Sequence, residues 1–123
     1  MLEQNPRSIL LLGLADALAS DLQAALRQQS WEVRSEPQRL DPAQPAPDLI
    51  FCGAEPARYL ALLEEVKRQT PGLPVIVVGR FPETADWLDA LEAGASDYCA
   101  PPFDRRHLQW MVSGALKSRA LAA

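Results

Sequence analysis

A chain of 123 residues with 48% hydrophobic and 23% charged residues fits one globular domain and is too apolar for a disordered segment. Its 12 Lys+Arg against 16 Asp+Glu give a net charge of −4, which leaves no basic field for phosphates and argues against direct nucleic-acid binding. The longest apolar run, Ile9 to Ala19, contains Asp16, is too short for a membrane span and has only Arg7 as a charged lead, so it reads as a buried strand. The expected setting is the cytoplasm, with both cysteines reduced.

Ser8 to Leu12 is a continuous apolar run of strand length, as a parallel strand covered on both faces requires, and Gly13 ends it. From Asp16 to Gln29, the residues Leu18, Leu22, Ala25 and Leu26 recur at helical spacing on one face, which predicts an amphipathic helix stopped at Ser30. Trp31 to Arg34 reads as a short second strand. Prolines at 37, 42, 45 and 47 then deny a helix its backbone donors. Pro37 to Pro47 is therefore an irregular connector with at most one helical turn, and it lacks the aromatic or basic anchors of a polyproline ligand.

Asp48 to Gly53 is the third strand, and Pro56 suits the first position of a helix whose Tyr59, Leu60, Leu63 and Val66 point inward. Thr70-Pro71-Gly72 stops it. Pro74 to Gly79 is a strongly β-branched fourth strand. A helix from Pro82 to Ala93, with Leu88 inward, ends at Gly94; Ser96 to Ala100 is the fifth strand. Asp104 caps a last helix with Leu108, Val112, Ala115 and Leu116 on its inner face.

Strands alternating with helices imply an α/β fold, a doubly wound parallel sheet joined by right-handed crossovers. Such sheets hold their sites outside the carboxyl ends of the strands, which here are Gly13-Leu14, Gly53-Ala54, Gly79-Arg80 and Ala100-Pro101. Cys52 and Cys99 fall on strands separated by a third, about 10 Å apart, too far for a disulfide. His107, alone on the last helix, reads as solvated or structural.

The phrases ILLL, WEV, PDLIFCG, LPVIVVG and above all ALEAGASDYCAPPFD resemble the receiver domain of two-component response regulators (chemotaxis-type, CheY-like) over essentially the whole chain. The resemblance implies a flavodoxin-like five-stranded sheet of order 2-1-3-4-5, with the second helix shortened or lost across Pro37 to Pro47. It divides the chain into a tail at 1–7, a receiver-like domain at 8–118 and a tail or linker start at 119–123. It also implies five working positions: an acidic pair holding Mg²⁺, a phosphoryl-accepting Asp, a Thr or Ser, and a Lys. Here those positions are Gly13 and Leu14, Gly53, Gly79 and Pro101.

Without carboxylates there is no nucleophile and no hard-oxygen site for Mg²⁺, so neither phosphorylation, a cofactor nor a metal is expected, and the chain is not expected to be an enzyme. Asp16, Asp48 and Glu55 are acids that a displaced metal site would have to use, although each also suits an ordinary helix or strand start. Arg80 either binds an anion or points into solvent. The expected function is a pseudo-receiver, a protein-protein interaction or dimerisation module of bacterial-type signalling, standing alone or at the front of a larger regulator. The alternative is sensing of a small anion or nucleotide at the carboxyl edge.

In the family, partners or a second copy dock on the face of the fourth helix, fifth strand and fifth helix. On that face the chain has Trp87, Tyr98 and Trp110. Trp110 lies about 200° around its helix from Leu108 and should face outward. Tyr98 matches an aromatic that swings inward on activation, and Gly79 leaves room for it to stay there. A thinner cover beside the second strand is a further candidate surface. No membrane contact is expected.

Overall fold

The structure, a computed structural model, describes residues 7–27, 31–36 and 46–122. Strands β1 (Ser8–Leu12), β2 (Glu32–Glu36), β3 (Leu49–Gly53), β4 (Val75–Val78) and β5 (Asp97–Cys99) alternate with helices α1 (Asp16–Leu26), α2 (Pro56–Gln69), α3 (Thr84–Ala93) and α4 (Arg105–Ala122). The five strands form one sheet of order β2-β1-β3-β4-β5, every pair parallel. This is the doubly wound α/β architecture expected from the strand and helix alternation. The expected shortening of a helix after β2, and the surface it would uncover, fall on residues 37–45 and lie outside the described residues, as do the tail at 1–6 and the helix stop at Ser30.

Strands β1, β3, β4 and β5 feed both layers because successive side chains point to opposite faces, whereas β2 contributes only half-buried Val33 to one of them. Leu10, Leu12, Ile50, Cys52, Val75, Val77 and Tyr98 meet Tyr59, Leu62, Leu63 and Val66 of α2 and Ala90 of α3. Ile9, Leu11, Leu49, Phe51, Ile76, Val78 and Cys99 meet Leu22 and Leu26 of α1 and Leu108, Met111 and Val112 of α4. Full burial of such a side chain stabilises by roughly 1.5–3 kcal/mol, so three contacts pin the first half of α4 to the sheet.

Local signals fix the ends. Gly94 takes φ 111° after α3, where only glycine sits without strain, and its N–H donates to Ala90 and Leu91. Asp104 Oδ1 accepts the N–H groups of Arg106 at 2.8 Å and His107 at 3.2 Å, capping α4. At the opposite end of the sheet, Asp48 Oδ2 accepts the Ser8 N–H at 2.8 Å and its other oxygen lies 3.8 Å from Arg7, which ties β1 to β3.

Two inward assignments are corrected. Leu60 is 46% exposed and Leu62 takes its place in the core, because α2 turns its Tyr59, Leu62, Leu63 and Val66 stripe to the sheet. Leu88 is 48% exposed: α3 sits on the sheet through fully buried Ala90, and Leu88 lies about 200° around the helix from it. A small residue permits close approach and leaves the bulky ones outside.

Candidate functional site

Parallel pairing brings the carboxyl ends of β1, β3 and β4 together around a cleft of about 350 Å³. Gly13, Leu14, Gly53, Gly79 and Arg80 line it, with Glu55 and Arg58. Pro101 is not among its lining residues; it precedes Pro102 across a cis peptide bond in the loop after β5. Gly13, at φ 68°, turns the chain from β1 towards α1. A Cβ on Gly53 would stand 3.1 Å from the Gly13 carbonyl oxygen, so the two backbones close the floor of the cleft.

Arg58 Nη1 donates to that same Gly13 oxygen at 3.4 Å, and Arg58 Nε lies 3.9 Å from the Glu55 carboxylate. The sequence reading missed Arg58. A base in the first turn of a helix runs against the helix dipole, and that was the available signal that it has another partner. The three acids weighed as a displaced metal site are not brought together. Asp16 is exposed on α1 and Asp48 is at the far end of the sheet, which leaves Glu55 alone in the cleft. Among the described residues no group of three His, Cys, Asp or Glu side chains is placed to hold a metal ion.

On the other side of β4, Tyr98 lies inward, 8% exposed, and its hydroxyl donates to the Phe81 carbonyl at 2.8 Å. Gly79 makes this possible: a Cβ there would collide with the Tyr98 hydroxyl and stand 2.7 Å from its Cζ. Burial raises the Tyr98 phenol above its ordinary pKa, and the nearby Asp86 and Glu83 carboxylates push it the same way. Trp87 and Trp110, 41% and 72% exposed, border a second cleft of about 520 Å³ over β5, with Tyr98 at its base. His107 stacks on Trp110, ring centroids 6.4 Å apart and 18° between planes. Phe81 was also missed, because its contribution is a backbone carbonyl that no side-chain pattern reveals.

No family model matches the chain. The transcriptional regulatory protein ZraR of Salmonella typhimurium is 34% identical over 71 residues, which covers 56% of this chain and 16% of ZraR. The chain thus spans about a sixth of the length of the curated relatives it matches. A crystal structure of NtrX from Brucella abortus in complex with ATP superposes with a TM-score of 0.82 at 25% identity, over 94% of this chain and 28% of NtrX. The receiver domain of Francisella response regulator 1452 superposes with a TM-score of 0.70 at 20% identity, over 92% of this chain and 98% of that domain. The fold is that of a response-regulator receiver domain.

Set against the receiver pattern, the carboxyl edge does not fit Mg²⁺. Magnesium takes hard oxygen ligands, usually with one or two protein carboxylates, whereas Gly13, Leu14 and Gly53 bring none and Arg58 directs a guanidinium at the Gly13 oxygen. The receiver fold is retained while the donor set that would hold the ion is not. Among the described residues no helix is long and apolar enough to cross a membrane.

Proposed function

We propose that this chain is a pseudo-receiver, a docking module of two-component signalling that works in the cytoplasm without phosphorylation and without a cofactor. The observation that carries the reading is Tyr98. In the receiver pattern this aromatic reports the state of the phosphorylation site; here it is held inward by the Phe81 carbonyl, over a glycine that offers no hydroxyl to move. On this reading the face of α3, β5 and α4 does not depend on phosphorylation for its arrangement, and Trp87 and Trp110 are exposed on it. Exposed tryptophans are the residue type most enriched among interface hot spots, and they make this face the favoured surface for a protein partner or a second copy.

Two measurements test the reading. Incubation with acetyl phosphate and Mg²⁺ should leave the intact mass unchanged, and an added phosphoryl group would overturn phosphorylation independence. Light scattering on the wild type, Trp87→Ala and Trp110→Ala should show any self-association weakened by either change. Self-association indifferent to both would move the docking surface elsewhere.

The carboxyl-edge cleft supports a second reading, as an anion or nucleotide sensor, since Arg58 and Arg80 both line it. A thermal-shift screen with inorganic phosphate and nucleotides would reveal it as a concentration-dependent rise in Tm that Arg80→Ala abolishes. A flat response removes this second reading.

A further inference from the structure

We propose that the cleft over β5, between α3 and α4, takes an arginine side chain presented by a partner protein. This inference rests on reading the α3-β5-α4 face as a docking face, and it names the chemistry of what docks.

The first observation is the lining. Trp87 and Trp110 border the cleft, and Glu83, just before α3, and Asp97, the first residue of β5, also line it. Among the described residues neither carboxylate has a Lys or Arg within ion-pair distance. A pair of indoles with two carboxylates is complementary to a cation that is flat, polarisable and weakly hydrated, which describes guanidinium better than ammonium. His107 covers one face of the Trp110 indole, and the 72% exposure of that residue leaves the rest open to a visitor.

The second observation is charge. From Pro82 to Asp104 the chain carries six Asp or Glu and no Lys, Arg or His. Of these, Glu83 and Asp97 line the cleft and, among the described residues, no Lys or Arg does, which gives the cleft a negative field, while Asp89 acts on Tyr59 of α2 instead. The field reaches the base of the cleft, where Asp86 and Glu83 oppose ionisation of Tyr98.

Strand addition at the β5 edge is disfavoured at its middle residue. The Tyr98 N–H on β5 is already taken by Asp97 Oδ1 at 2.8 Å, so a partner strand finds that donor occupied. Engagement through an inserted side chain needs no such donor.

The test is fluorescence anisotropy of a labelled tetra-arginine amide titrated with the full 123-residue chain. Saturable binding is expected, with Glu83→Gln and Trp87→Leu each weakening it about tenfold, and with tetra-lysine bound several-fold more weakly. Both substituted residues are exposed, so circular dichroism should show the fold intact. Equal binding by the wild type and both variants, equal binding of tetra-lysine, or no binding overturns the proposal. A dimer that Trp87→Ala dissociates, in a chain that ignores the peptide, would leave the docking reading standing and remove this one. A dimer that Arg106→Ala dissociates would assign the arginine to a second copy and overturn the foreign partner.

Discussion

Gly79→Thr, which installs the side chain usual in receivers, is expected to lower the unfolding free energy by about 1–3 kcal/mol, the range for overpacking a filled site. The added Cβ would occupy the place of the Tyr98 hydroxyl, with Cζ only 2.7 Å away, so the tyrosine has to leave. Leaving breaks its 2.8 Å bond to the Phe81 carbonyl and uncovers a ring that is now 8% exposed. A double-mutant cycle separates this account from a general intolerance at position 79. In a Tyr98→Ala background the space is free, and Gly79→Thr should cost little, giving a coupling of about 1–3 kcal/mol in urea unfolding. Additive costs would show that the two side chains do not compete. Tyr98→Phe keeps the ring and removes only the bond, at about 1 kcal/mol.

Stability should fall steeply at alkaline pH, and the two thiols are the reason. Burial pushes Cys52 up to about 12 from 9.0, and burial aided by the Asp97 carboxylate pushes Cys99 up to about 12. The folded thiols hold their protons where the unfolded chain has released them. Their contribution is therefore fully present below pH 9 and is lost as pH rises towards 12. The slope is about 1.4 kcal/mol per pH unit for each thiol, so two units above the unfolded value the pair costs on the order of 5 kcal/mol. That rivals the whole stability of a small domain, about 5–15 kcal/mol. The Tyr59 and Tyr98 phenols, raised chiefly by burial, act in the same direction at higher pH. Denaturant midpoints between pH 8 and 11 should fall for the wild type and flatten for Cys52→Ala/Cys99→Ala. A profile unchanged by removing the cysteines would refute the assignment. Both thiols should also resist iodoacetamide until the chain unfolds.

The inner strands were legible because burial on both faces leaves continuous apolar runs such as Ile9 to Leu12 and Val75 to Val78, whereas β2, half-exposed at the sheet edge, has no such run and lies at Glu32–Glu36 rather than Trp31 to Arg34. Helix faces were legible only where large residues mark them. Leu108 and Val112 announced the inner side of α4, but α3 docks through an alanine, and periodicity weighted by size put Leu88 there instead. The lack of side-chain carboxylates at Gly13, Leu14 and Gly53 could be read residue by residue, since glycine and leucine carry none in any conformation. The contacts made around them could not. The reach of Arg58 to a backbone oxygen and the anchoring of Tyr98 by another are made with main-chain carbonyls, and every residue type has one.

The close approach of Gly13 and Gly53 sets the terms on which a carboxylate could be placed at this edge of the sheet. An aspartate at position 53 would set its Cβ 3.1 Å from the Gly13 oxygen, so that backbone would have to give by a few tenths of an ångström, with Glu55 the other acid in the cleft lining and Arg58 donating to the same oxygen. That one substitution brings a single new carboxylate to a site where Mg²⁺ takes several hard oxygen donors, so it is not expected to bind the ion by itself.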